Sequence, residues 1–266
     1  MEQRVDNQDS LTRHPAASAT GNFCRVDGGV LSHPFDDDPP SPLTRFVHES
    51  FRALALNERF SCVGGRTAIR REAYRFGLYD RLGSQASSDA VGSDLTRFIA
   101  DPELRDQPLT AFVASFVDPV PSDEAHFEAL LWSTLQQLAD HDSRPWAAGY
   151  DDDPADPRFA FSFAGTSFFI VGLHAHSSRL SRRFAFPTLV FNPHDQFDRL
   201  RADGKYGRFR DVIRARDIAL QGSLNPMVRD FGAASEAPQY SGRAVSDTWQ
   251  CPFHRHARLR DTESDE

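Results

Sequence analysis

The chain has 266 residues, 39% of them hydrophobic, and carries 30 basic against 38 acidic side chains for a formal net charge of −8. These values belong to a globular protein long enough to bury a real core, and they exclude a nucleic-acid-binding surface spread over the whole molecule. Three cysteines, Cys24, Cys62 and Cys251, cannot build a disulfide framework, and no stretch approaches the roughly 20 apolar residues of a membrane span, so a reducing, cytoplasmic setting with no membrane and no nucleic-acid partner is expected.

Residues 1–40 are polar, lack periodicity and end in the acidic, proline-rich run 36–40, so a disordered N-terminal segment is expected there. Order is expected from Ser41-Pro42, an N-cap followed by proline at the first helical position, with Leu43, Phe46, Val47, Ser50, Phe51 and Leu54 on one helical face. A shorter amphipathic segment through Ile69, Ala73 and Phe76 and another carrying Leu95, Phe98 and Ile99 make the first half mostly helical in this reading. The run from Leu109, LTAFVASFV, predicts a buried strand. A helix capped by Ser122 then carries the stripe Phe127, Leu131, Leu135 and Leu138. Phe159, Phe161 and Phe163 alternate with small residues and lead through Ala164-Gly165 into TSFFIVGL, which predicts an antiparallel hairpin with an aromatic face. A third strand over Pro187 to Phe191, helices over Gln196 to Arg201 and Tyr206 to Leu220, and an irregular C-terminal stretch complete the pattern, with a flexible tail over 259–266. The fold class is α+β: a single domain over 41–258 whose mainly antiparallel sheet, with the aromatic hairpin, is packed by several helices.

Chemistry is expected between Gly172 and His254. The aromatic strand runs into His174 and His176, then Arg179, Arg182 and Arg183, which places imidazoles at a rigid strand end beside guanidinium groups suited to carboxylates or phosphates. A solvated basic loop closing a hairpin would look the same. His194, His254 and His256 are further candidate ligands, and Cys251-Pro252 could offer a thiolate, although no second Cys-x-x-Cys or Cys-x-x-His element is present to complete a zinc site. Glu236 could hold a cationic group of a substrate and Tyr240 or Arg243 a carboxylate. Phosphate-binding glycine loops, a Gly-x-Ser-x-Gly elbow and a His-Glu-x-x-His helix are missing, which removes the commonest nucleotide-dependent and hydrolytic machinery.

Several blocks resemble the YqcI/YcgG family in order: Gly172-Leu173-His174, Ser177-Ser178-Arg179, Arg182-Arg183-Phe184, the run Pro187 to His194, Gly222-Ser223-Leu224-Asn225-Pro226, Gln239-Tyr240-Ser241-Gly242-Arg243 and Trp249-Gln250-Cys251-Pro252-Phe253-His254. The chain departs from the family pattern at Ala175, where proline is common. Because the family includes haem-dependent N-oxygenases acting on arginine and guanidine substrates, the resemblance implies a b-type haem with its iron, dioxygen or peroxide as co-substrate, and hydroxylation of a guanidine or amine nitrogen of an arginine-like small molecule. Under that reading His174 is the expected axial ligand, with His194 and His254 as alternatives. Arg179, Arg182 and Arg183 are expected to meet the propionates, and Glu236 to act as the catalytic-site substrate anchor. Phe161, Phe163 and Phe169 are expected to wall a dry pocket. An electron donor and a homodimer are compatible with this reading. The alternative is a non-catalytic haem-binding or haem-sensing protein.

Overall fold

The computed structural model describes residues 22–35 and 37–255. A short hairpin, β1 (Arg25–Asp27) and β2 (Val30–Ser32), precedes α1 (Pro42–Leu56) and α2 (Val63–Arg70). Next come β3 (Tyr74–Arg81), α3 (Gln85–Ala100), β4 (Ala111–Asp118), α4 (Glu124–His141), and the pair β5 (Phe161–Phe163) and β6 (Thr166–Leu173). A 3-10 turn (Leu180–Arg182), β7 (Thr188–Pro193), α5 (Asp195–Ala202), α6 (Tyr206–Gln221) and the single turn α7 (Ala237–Tyr240) complete the chain. Five strands form one sheet in the order β3-β4-β7-β6-β5. The β3–β4 pair is parallel and the other three pairings are antiparallel, so the α+β sheet is mixed.

The local chemistry explains most boundaries. Ser41 accepts a hydrogen bond from the Thr44 amide at the start of α1, with proline at the first helical position as expected. Asp123, one residue beyond the expected Ser122, caps α4 by accepting from the His126 amide. The β5–β6 turn is tight because Ala164 and Gly165 both take positive φ, 51° and 75°, the conformation of a two-residue hairpin that matches strand twist.

Two expectations are corrected. The segment through Ala73 and Phe76 is not helical: α2 stops at Arg70, Glu72 turns the chain at φ 56°, and the aromatic run from Tyr74 pairs in parallel with β4. The segment before Ser41 is not wholly disordered either. Gly28 and Gly29 turn β1 back onto β2, and the Cys24 and Phe76 main chains bond each other at 2.8 and 3.1 Å, which docks the hairpin on the sheet edge. Residues 1–21 and the expected tail at 259–266 lie outside the described residues.

Alternation along the central strands divides the interior. Phe112 and Ala114 of β4, Leu189 and Phe191 of β7, and Phe168 and Ile170 of β6 join a core with α3 and α4. The residues between them, Val113, Val190 and Val171, lie side by side in register and face the opposite way. Gly172 marks how closely α4 approaches, since a Cβ there would stand 2.5 Å from the Phe127 ring and 3.0 Å from Leu131. Among the described residues no helix is long and apolar enough to cross a membrane.

Three imidazoles are buried in this framework, and burial shifts the pKa of two of them, His48 and His174. His48 on α1 is held by the Tyr74 hydroxyl at 2.6 Å, and desolvation, helped by the nearby Arg52 charge, pulls its pKa down to about 4. His174, one residue past β6, stacks on Phe127 with ring centres 4.3 Å apart, and desolvation lowers it to about 4 as well, against the opposing charge of Glu124.

Two outcomes follow from this packing. Gly172→Ala should lower stability by about 1–3 kcal/mol through overpacking against Phe127, read as a reduced urea midpoint with unchanged slope. Both imidazoles titrate near 6.5 when unfolded and near 4 when folded, so the unfolded chain binds more protons in between. Stability should be full above pH 6.5 and fall toward pH 4, by on the order of 3 kcal/mol per imidazole. Urea titrations from pH 7 to 4.5 should show this slope, reduced in His174→Phe; an identical slope in that variant would place the effect elsewhere.

Candidate functional site

The face of the sheet turned away from α3 and α4 is covered by α1, α2, α5, α6 and the segment from Asn225 to Gln239, and these border a half-open cavity of about 270 Å³. Its floor is the second set of alternating residues: Val113 of β4, Val190 and Asn192 of β7, and Phe169, Val171 and Leu173 of β6. Phe60, Phe197, Phe209 and Ile213 supply apolar walls, and Cys62 lines it at the start of α2 with its sulfur accepting from the Gly65 amide. An apolar enclosure with a few convergent polar groups is the usual form of a small-molecule site, and this one lies just below the common range of roughly 300–1,000 Å³.

The same alternation carries one step beyond β7 and places His194 on the cavity wall, at 2% exposure. Its Nε2 lies 2.9 Å from Glu236 Oε1. A carboxylate oxygen only accepts, so Nε2 carries the proton and Nδ1 is the remaining nitrogen; it is buried without a hydrogen-bond partner among the described residues. Glu236 also accepts from the Tyr240 hydroxyl at 2.5 Å, and that hydroxyl accepts from the Phe161 amide at 3.0 Å. Burial, with the Glu236 charge beside it, holds the phenol well above its ordinary pKa, so Tyr240 stays a donor. The imidazole is therefore oriented by a chain of bonds that ends on the backbone of β5.

The expected site residues divide between the two faces. His174 follows the other parity of β6 and lies on the α4 side, fully buried, with neither ring nitrogen hydrogen-bonded among the described residues and outside the cavity lining. His176 does not continue the strand face with it, because β6 ends at Leu173 and His176 is exposed. Arg179 and Arg182 line the cavity, whereas Arg183 is exposed and donates to the Ser177 carbonyl. Arg179 is paired with Asp217 at 2.5 Å and donates to the Ser223 carbonyl at 2.8 Å. Glu236 lines the cavity as expected but is tied to His194 and Tyr240. Of the aromatic residues expected to wall a pocket, Phe169 does so, while Phe161 and Phe163 belong to the core on the other face. Cys251 packs against that core too, its thiol pushed up to about 12 by burial, and His254 is exposed beside α4, where its amide donates to Gln136. His256 lies outside the described residues. Among the described residues no three His, Cys, Asp or Glu side chains gather as a metal site.

Sequence reasoning missed the Arg243–Glu128 pair that fastens the C-terminal segment to α4. Glu128 accepts from Arg243, from Ser241 at 3.0 Å and from the Trp249 indole at 3.3 Å. A glutamate inside the apolar stripe of α4, next to Phe127, was the available signal.

The uncharacterised protein YqcI of Bacillus subtilis (strain 168) is 25% identical to this chain over 210 residues, which cover 76% of this chain and 83% of that protein. No solved structure matches. The model of the YqcI/YcgG family matches residues 51–254, from the middle of α1 to the last bond with α4, and the chain belongs to that family.

Proposed function

We propose that this chain is a haem-dependent N-hydroxylase of a guanidine or amine nitrogen on an arginine-like small molecule, with His194 as the iron ligand. The observation that carries the reading is the imidazole itself: a buried histidine on a cavity wall, one ring nitrogen bonded to a carboxylate and the other without a partner. This is the arrangement by which proteins hold a metal-binding histidine, and either ring nitrogen can serve. The lining agrees with a haem in two further respects, apolar walls for the macrocycle and, in Arg182, a guanidinium with no carboxylate in an ion pair among the described residues that suits one propionate. Bound haem would supply the activation of dioxygen or peroxide.

The residues of the chain would do the rest. Glu236 holds the His194 ring in one tautomer and one orientation, a positioning role in place of the substrate-anchoring role expected for it. Phe169, Val171, Leu173 and Val190 exclude water from the floor. Asp217 keeps Arg179 fixed in the wall. His174 takes no part in ligation in this reading, because its strand parity turns it toward Phe127.

Absorption spectra of haem-reconstituted protein test the ligand. His194→Ala should lose the Soret band of the wild type while His174→Ala and His254→Ala keep it, and Glu236→Gln should weaken haem affinity about 10–100-fold. Loss confined to His174→Ala would overturn the assignment of His194. No stoichiometric haem in the wild type would remove the haem reading altogether. Turnover is tested separately with reductant, dioxygen or peroxide, and a panel of arginine, guanidines and amines. Products should gain one oxygen atom at nitrogen; tight haem binding with no product would leave the non-catalytic haem-binding reading in its place.

A further inference from the structure

The arginines around the cavity differ in what balances their charge. Arg179 faces Asp217, Arg210 and Arg214 face Asp230, and Arg201 faces Asp198. Arg229 also donates to main-chain carbonyls, those of Pro226 and Val228, but is exposed. Arg182 is the exception on the wall: it is half-buried, and its Nη1 donates to the main-chain carbonyls of Tyr240 at 2.8 Å and Gly172 at 3.4 Å. Carbonyl oxygens orient a guanidinium without neutralising it, and among the described residues no carboxylate forms an ion pair with Arg182. Desolvation pulls its pKa down to about 10, against the charge of Asp217, a carboxylate that is bonded to Arg179.

Its seat is built. Gly242 takes φ 83°, and a Cβ there would stand 2.5 Å from Arg182 Cδ and 3.1 Å from both Nε and Nη1. The missing side chain at Gly242 is therefore what leaves room for the guanidinium between α7 and β6. A cation fixed by two carbonyls, with its planar fork beside an apolar cavity, is poised for an anion with two acceptor oxygens.

We infer that Arg182 binds a carboxylate of the molecule that occupies this cavity. The inference rests on the cavity assigned above, and the carboxylate has two sources in that reading, a haem propionate or the carboxylate of an amino-acid substrate. A phosphate is a poorer match, because the neighbouring arginines that would share its second charge are already paired.

The test compares two matched pairs of probes by calorimetry and absorbance titration. L-Arginine is set against agmatine, which lacks the carboxylate, and haem against haem dimethyl ester. In the wild type at least one carboxylate-bearing probe should bind about tenfold or more tightly than its partner. Arg182→Gln should reduce that preference to about twofold or less, and Arg182→Lys should retain part of it as a point charge without the fork. A preference confined to the haem pair assigns a propionate, and one confined to the arginine pair assigns the substrate. Preference for arginine with no haem binding would uphold this inference while sinking the haem reading. Equal binding within both pairs in the wild type, or no binding by any of the four probes, overturns the inference before any variant is made. An undiminished preference in a folded Arg182→Gln overturns it too.

Discussion

The structure depends on the period of two along three neighbouring strands. Because β4, β7 and β6 are in register at Val113, Val190 and Val171, a single alternation runs across the sheet and sorts every residue of the centre to one of two faces. One set fills the core against α3 and α4. The other set packs in part against α1 and α2 in a second core and in part forms the floor of the cavity, where α2, α5 and α6 meet above it. Gly172 and the Phe127 ring set the tightness of the first face, and the apolar residues Phe169, Val171 and Leu173 set the dryness of the second. A shift of β6 by one residue against β7 would exchange His174 for Leu173 at the cavity and destroy both faces together.

The single turn α7 joins the two faces. Glu236 and Gln239 line the cavity, while Tyr240 lies in the other core, its ring stacked on Trp132 of α4 at 5.5 Å. The Tyr240 hydroxyl bonds to Glu236 and its main-chain carbonyl accepts from Arg182, so one residue steadies both the imidazole and the unpaired cation. Four residues of α-helix cannot hold such a position unaided. The clamp of Arg243, Ser241 and Trp249 on Glu128 supplies the anchorage, at the cost of burying a carboxylate that is compensated by several donors. Glu128 thus acts on the cavity from the opposite side of the sheet.

Much of the fold was legible in the sequence because its elements carry strong patterns. The hairpin of β5 and β6, the capped α1 and the stripe of α4 all emerge from spacing and turn chemistry. β3 was not legible, because its eight residues follow α2 after a turn made by Glu72 rather than by glycine or proline, and a helical period can be traced through Ile69, Ala73 and Phe76. The β1–β2 hairpin was overlooked in spite of its Gly-Gly turn, since three-residue strands barely express alternation. At the site, the expected residues divide: Arg179, Arg182, Glu236 and Phe169 line the cavity, whereas His174 and Phe161 lie on the other face. TSFFIVGL is apolar on both sides, so the sequence holds no sign of which side meets helices and which meets a cavity, and His174 and Phe161 were placed by proximity along the chain. For β7 the sign existed: Val190, Asn192 and His194 form a half-polar row opposite the wholly apolar Leu189 and Phe191.

His174 and His194 are both buried, but their ring nitrogens are held differently. Each is almost wholly removed from solvent and each packs on aromatic rings. At His174 the ring stacks on Phe127, both ring nitrogens lack hydrogen-bond partners among the described residues, and the low pKa comes first from the loss of water, with the charges of Glu124, His176, Arg182 and Asp123 acting in both directions. Such a ring is held by stacking and has no polar contact to fix which nitrogen carries the proton. At His194 the carboxylate of Glu236 selects the tautomer and the rotation of the ring, and Tyr240 fixes the carboxylate in turn. The unpartnered nitrogen is then a defined lone pair on the wall of a cavity, which is what a ligand requires. The difference arises from a single residue of strand parity, together with a glutamate 42 positions away that folding brings to the ring.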